Sequence, residues 1–172
     1  KSSKLRPSDA EIIEGSQKFL GDIMQVPPQF SAVKIDGQRA YKLARAGENI
    51  EIAARHLFVE ELILVDRPSK DTAILEMTCG KGGYVRSIAR DLGEVLGCYG
   101  HVAKLRRLWS GPFDLEYAVS LDQVESFAKT SKIDQFLRPL EEGLTDLPHG
   151  TTNAEGAAKL RNGNPAVCYI KA

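Results

Sequence analysis

The sequence predicts an α/β chain of the α+β kind, with helices packed on strands that pair antiparallel, and two observations carry that expectation. His56 to Asp66 and Asp71 to Cys79 are rich in β-branched and aliphatic residues. Only Arg67-Pro68-Ser69-Lys70 joins them, so they read as an antiparallel pair. Directly after the second strand, Gly80, Gly82 and Gly83 hand the chain to a segment in which Val85, Ile88, Ala89, Leu92 and Leu96 recur at helical spacing. That helix buries one face and leaves Arg86 and Arg90 one turn apart on the other.

The remaining elements follow in order. After a polar lead-in, Ser8 with Glu11 forms a capping box for a helix whose buried face is Ile12, Ile13, Phe19 and Leu20, ended by Gly21. The next segment begins extended, because Pro27 and Pro28 exclude helix and push Val26 towards β geometry. Asp36-Gly37 marks a tight turn, and Arg39 to Ala46 fits a short helix stopped by Gly47. In the strand pair, Ala73, Leu75, Met77 and Cys79 share one face. Past the central helix, Val102 to Leu108 alternates as a strand, with Ala103, Leu105 and Arg107 on one side and Lys104 and Arg106 on the other. Ser110-Gly111-Pro112 turns the chain. Ser120 with Gln123 opens a helix running from Leu121 to about Lys129, and a short helix is expected near Ile133 to Leu137. Thr145 to Gly150 reads as a linker, Thr152 with Glu155 opens a last helix closed by Asn162-Gly163, and Asn164 to Ile170 begins a strand.

A chain of 172 residues, 42% of them hydrophobic, is long enough to bury a sizeable core. Its formal net charge is zero, but as a cancellation between regions. Basic residues gather early and centrally, acidic ones from Asp114 onwards, and it is this distribution that bears on an anionic partner. Three cysteines, Cys79, Cys98 and Cys168, are an odd number at unrelated spacings, which argues against a disulfide framework and for a reducing, cytoplasmic setting, with Cys79 and Cys98 read as buried thiols. No apolar run reaches the roughly 18 residues of a membrane helix. Because the sequence starts at Lys1 and stops within an apparent strand, a fragment is expected.

Each candidate site has an ordinary reading beside it. The glycine turn fails the GxxxxGK[ST] phosphate-loop pattern, since Gly82 follows Lys81. Cys98 and His101 lack the second ligand pair that a zinc site needs, so no metal is expected. Arg86 and Arg90 could be a solvated helix face. Yet Arg86 stands at a helix N-terminus, where the dipole disfavours a cation, and that placement points to an anionic partner. Tyr84 beside the glycines can pack or stack on a base. The segment from Pro27 to Arg45 interleaves Phe30 and Tyr41 with Lys34, Arg39, Lys42 and Arg45, the composition of a platform for single-stranded RNA, and those aromatics have no evident partner within the chain. Lys81, Arg90, Lys104, Arg106 and Arg107 extend the basic set.

Three stretches, VPPQFSAVKIDGQRAYKLARAG, CGKGGYVRSIARDLGEVLG and GHVAKLRRLWSGPF, resemble in order the motifs of the bacterial tRNA pseudouridine-55 synthases, the TruB family. The resemblance implies a pseudouridine synthase fold around a mixed, largely antiparallel sheet over residues 1–147, with an RNA-contacting insertion at about 25–45. Residues 148–172 are similar to the opening of a PUA-type RNA-binding module. Tyr84 and Leu105 then match residues lining the pocket for a flipped uridine, and Arg86 matches the arginine that pairs with the catalytic aspartate. An aromatic and an aliphatic side chain can hold an extruded base, whose unstacking costs a few kcal/mol, and an arginine keeps a neighbouring carboxylate ionised.

One feature of the family is absent: no GxLDPxAxG-like nucleophile motif occurs, and Gly143-Leu144-Thr145-Asp146 has its GxxD spacing in linker sequence only. The expectation is therefore the RNA clamp and part of the uridine pocket of a T-loop isomerase, acting on the T-arm of tRNA as a cytoplasmic monomer without cofactor, metal or membrane. This chain alone is expected to be inactive. A non-catalytic RNA-binding protein or RNA chaperone is the alternative, and a structural subunit whose partner supplies the aspartate is a third reading.

Overall fold

The computed structural model describes residues 2–35, 37–48, 50–130 and 132–170. The chain forms two compact units, Lys1–Leu105 and Arg106–Ala172.

The first unit begins with helix α1, Asp9–Gln17. Its capping box is the expected one: the Glu11 N–H donates to Ser8 Oγ at 3.3 Å, and the Ser8 N–H and hydroxyl both donate to the Glu11 carboxylate at 2.7 Å. Ile12 is buried, but Ile13 is exposed, contrary to expectation. With Gly15 and Ser16 also buried, the core-facing side of α1 is centred near Ile12, and Ile13, about 100° further round the helix, falls outside it. The helix stops at Gln17, short of Gly21, which instead starts strand β1, Gly21–Gln25, at a φ of 76°.

Strand β4, Arg55–Ser69, pairs antiparallel with β1 on one side and with β5, Thr72–Cys79, on the other. It runs further than the sequence indicates, through Pro68. Register shifts along its pairing with β5, two of them between Leu64 and Ser69, accommodate a residue that cannot donate to a regular ladder. Ala73, Leu75, Met77 and Cys79 share the inner face of β5 as expected. Phe19, Leu57, Val59, Leu62, Ile88 and Leu92 form the buried core between this sheet and helix α3, Val85–Val95. At Gly93 the helix meets the backbone of Tyr99 and Gly100 so closely that a Cβ there has no room.

Between β1 and β4 the chain makes the expected excursion: a two-residue hairpin, β2 Lys34–Ile35 with β3 Gln38–Arg39, followed by helix α2, Ala40–Arg45. Gly37 and Gly47 take φ values of 82° and 78°, in the left-handed region where glycine is unstrained. Asp36, half of the anticipated turn, lies outside the described residues. Val33 and Ala40 are buried, and the Ala40 N–H donates to the Val33 carbonyl at 2.7 Å.

The second unit holds hairpin β6–β7, Trp109–Ser110 with Phe113–Asp114, turning at Gly111. Helix α4, Leu121–Ala128, has the expected Ser120–Gln123 capping box, and 3₁₀ turns follow at Ile133–Phe136 and Leu140–Leu144. Strand β8, Gly150–Thr151, pairs with β9, Tyr169–Ile170, around helix α5, Ala154–Arg161. Asn153, not Thr152, caps α5, its side chain accepting from the Gly156 N–H at 2.8 Å, while the Thr152 hydroxyl donates to the Val167 carbonyl. Val102 to Leu108 forms no strand among the described residues. Alternation alone does not make one, because a strand needs a neighbour for its backbone groups.

Candidate nucleic-acid interface

The end of β1 and the start of α3 are joined by buried polar contacts. Gln25 is 3% exposed, and its amide accepts from the Tyr84 N–H at 2.8 Å while donating to the Tyr84 carbonyl at 3.2 Å. One residue on, the Val26 carbonyl accepts from the buried Ser87 hydroxyl at 2.7 Å and from Arg90 Nη2 at 3.0 Å. Pro27, fully buried, then carries the chain outward. These contacts fix the base of the excursion against the helix entrance.

Above that junction lies a cleft of about 680 Å³ whose walls include Pro27, Pro28 and Phe30 from the excursion, Glu51 from the chain leading to β4, and Arg86 and Arg90 from α3. Phe30, Arg86 and Arg90, singled out separately in the sequence, are therefore brought to one place. Arg86 is exposed and makes no ion pair among the described residues. Arg90 is committed further: its Nε donates to Asp91 at 2.6 Å, and that hydrogen bond raises its pKa above the ordinary value against a partial opposing effect of burial. Tyr84 is the half-buried N-cap of α3, extended at φ −106° and ψ 100°, and is not among the residues lining the cleft.

The other basic residues lie in four places along the chain. On the hairpin, Lys34 and Arg39 are direct cross-strand partners, an arrangement of like charges that concentrates positive potential, and Arg39 also donates to the Ala32 carbonyl at 3.3 Å. On α2, Lys42 is exposed, and the Arg45 guanidinium sits 5.6 Å from the centre of the Tyr41 ring, so Tyr41 does have a partner within the chain. Lys81 is exposed on the glycine turn. Lys104 and Leu105, the latter 62% exposed, close the first unit, and Arg106 and Arg107 open the second, all exposed in irregular chain.

Gln25 and Ser87 escaped the sequence reading. Each is a lone polar residue whose partner is backbone some sixty residues away, and neither periodicity nor spacing signals such a contact. The cysteines form no disulfide: Cys79 and Cys98, expected to be buried, are only half-buried, and Cys168 is exposed. Among the described residues no cluster of three or more His, Cys, Asp or Glu is placed to hold a metal, and no helix is long and apolar enough to cross a membrane.

With this geometry established, comparison with known proteins is informative. Residues 1–85 match the model of the TruB family pseudouridylate synthase N-terminal domain, and residues 86–145 match that of the tRNA pseudouridylate synthase B C-terminal domain. The tRNA pseudouridine synthase B of Ruegeria pomeroyi is 67% identical over 168 residues, which is 98% of this chain and 55% of that protein. The corresponding protein of Rhizobium johnstonii is 45% identical over 172 residues, 96% of this chain and 56% of its own length. Among solved structures, a Cbf5-Nop10-Gar1 complex has a chain superposing with a TM-score of 0.70 at 24% identity, covering 91% of this chain and 45% of that one. An H/ACA RNP bound to a substrate RNA containing 2'-deoxyuridine gives 0.70 at 18% identity, covering 98% and 48%. These two likenesses establish the fold. The chain spans about half the length of the curated relatives it matches.

Proposed function

The chain belongs to the TruB family of pseudouridylate synthases, and from that premise we propose that it carries the RNA clamp and part of the uridine pocket of an enzyme that converts a T-loop uridine of tRNA to pseudouridine. The observation that carries the reading is the cleft that sets Phe30 of the excursion beside Arg86 and Arg90 of α3. An aromatic ring next to unpaired guanidinium charge suits an RNA strand, since stacking takes the base and the cation takes the anion.

In this reading the segment from Gln25 to Arg45 grips the T-arm through Lys34, Arg39, Lys42 and Arg45. Lys81, Arg90, Lys104, Arg106 and Arg107 contact the backbone, and Tyr84 and Leu105 face the extruded base. Arg86 orients the aspartate nucleophile, which the family places in a motif that this sequence does not contain. The exposure of Leu105 supports a ligand-facing role, because burying an aliphatic side chain against a base is favourable and leaving it in water is not. Residues 148–172 are read as the opening of a PUA-type module, and the whole enzyme as a cytoplasmic monomer that needs no cofactor. An RNA-binding protein without catalysis would use the same clamp but would not need Arg86.

The test is binding of a T-arm stem–loop to the chain. Tyr84→Ala and Leu105→Ala should each weaken it by about tenfold, the scale of one lost stacking contact. A fully paired duplex of the same length should bind less tightly than the stem–loop. Equal affinity for both RNAs, with no effect of either substitution, would remove the pocket from the account.

A further inference from the structure

We propose that Gln25 is a positioning residue that locks the RNA-gripping excursion to the pocket end of α3, so that the two halves of the site move as one; this rests on the reading of the cleft as an RNA site. An extended residue turns its N–H and C=O to the same side, and Tyr84, with φ −106° and ψ 100°, is extended at the helix entrance. A primary amide presents an acceptor and a donor side by side, which matches that pair, and Gln25 uses both, at 2.8 and 3.2 Å. The Tyr84 carbonyl is also the N-cap acceptor of the helix, taking the Ile88 N–H at 3.2 Å, so the same peptide unit that starts α3 is the one Gln25 holds.

Position makes this more than packing. Gln25 is the last residue of β1, and the next residue, Val26, opens the excursion that supplies Pro27, Pro28 and Phe30 to the cleft. Arg86 lies two residues beyond Tyr84 in the first turn of α3. With Ser87 and Arg90 both donating to Val26, four hydrogen bonds join the two segments at this point. A buried amide is costly unless satisfied, and Gln25 is satisfied by a single residue of the other segment. A displacement of the excursion is thereby passed to Tyr84, and through it to the helix turn bearing Arg86.

The experiment uses the chain itself and has two arms. Without RNA, hydrogen exchange at the Tyr84 amide is followed in the wild type, Gln25→Met and Gln25→Glu. Met keeps the volume and loses both hydrogen bonds, whereas Glu keeps the acceptor for the Tyr84 N–H and, when ionised, sets its second oxygen against the Tyr84 carbonyl. Protection at Tyr84 should fall about tenfold in Gln25→Met, on the scale of one hydrogen bond, and be regained in Gln25→Glu only at a pH low enough to protonate the carboxyl, which then donates to the Tyr84 carbonyl as the amide does. Gln25→Asn keeps the amide one methylene too short, and it replaces the Met variant should that one not fold. With a T-arm stem–loop, Gln25→Met should lose about tenfold in affinity at an unchanged salt slope, because the phosphate-facing cations remain in place. Wild-type protection in Gln25→Met, or the same protection in Gln25→Glu whether its carboxyl is ionised or protonated, would overturn the assignment. Failure of the wild type to bind the stem–loop would count instead against the RNA reading, and the exchange arm would still decide Gln25.

Discussion

At the scale of single residues, the decisive contrast is between Arg86 and Arg90. They share a helix face and a cleft, yet Arg90 is bound to Asp91 and to the Val26 carbonyl, while Arg86 stands exposed with no ion pair among the described residues. Arg90 therefore holds the excursion as well as facing the cleft, and Arg86 is left for a carboxylate or a phosphate. In a full-length enzyme containing this segment, Arg86→Ala is expected to lower kcat by about two orders of magnitude, the scale of a lost preorganised electrostatic contact, with RNA affinity changed far less. Single-turnover kinetics alongside RNA binding separate the two, and equal losses would reassign Arg86 to phosphate contact. Arg86 and Phe30, which the cleft brings together, stand out in the sequence because an arginine at a helix N-terminus and an aromatic without an evident partner in a loop conflict with ordinary stability. The sequence hid Gln25 and Ser87, whose only signal is a backbone partner distant in sequence.

At the scale of elements, local chemistry was the most legible. Ser8–Glu11 and Ser120–Gln123 form the reciprocal caps that their spacing indicates. The hydrogen bonds from Ser8 hold the Glu11 carboxyl below its ordinary pKa. A lowered folded-state pKa stabilises the fold above the unfolded-state value, and that contribution is lost as pH falls through the folded one. Glu11→Gln should therefore remove one step from the acid side of the stability–pH curve, which denaturant unfolding at a series of pH values will show. Less legible was the contact at Gly93, where a Cβ would stand 2.9 Å from the Tyr99 carbonyl carbon and closer still to the Gly100 nitrogen. A glycine inside a helical pattern reads as a weakness, whereas here it permits the close approach of the chain leaving α3. Gly93→Ala is expected to destabilise the first unit by about 1–3 kcal/mol, as overpacking does, despite the better helix propensity of alanine. Unchanged stability would mean that this backbone yields freely. The strand expected over Val102 to Leu108 failed for the complementary reason: alternation was present and a pairing partner was not.

For the whole molecule, sequence order and fold agree. The antiparallel pair, the excursion and the central helix were all readable in the sequence, because each is built from periodicity and turn residues within about thirty positions. The cleft was not readable, since it depends on how those pieces meet. Its walls include one carboxylate, Glu51, and the family's nucleophile motif is absent from the sequence. The chain by itself is thus expected to leave uridine unchanged in a T-arm stem–loop at stoichiometric protein, and pseudouridine above background would promote Glu51 to nucleophile. The central claim, that the excursion is an RNA clamp, is tested most directly by measuring stem–loop affinity against salt concentration for the intact chain and for the form in which Lys34, Arg39, Lys42 and Arg45 are replaced by alanine. Each lost phosphate contact should flatten the log–log slope by about 0.7 for single-stranded RNA. Lys34 and Lys42 should account for the first part of the change, because Arg39 and Arg45 are partly engaged by the Ala32 carbonyl and the Tyr41 ring. A slope that flattens as affinity falls is the predicted result; a slope that stays the same would contradict the account and leave the excursion as packing surface.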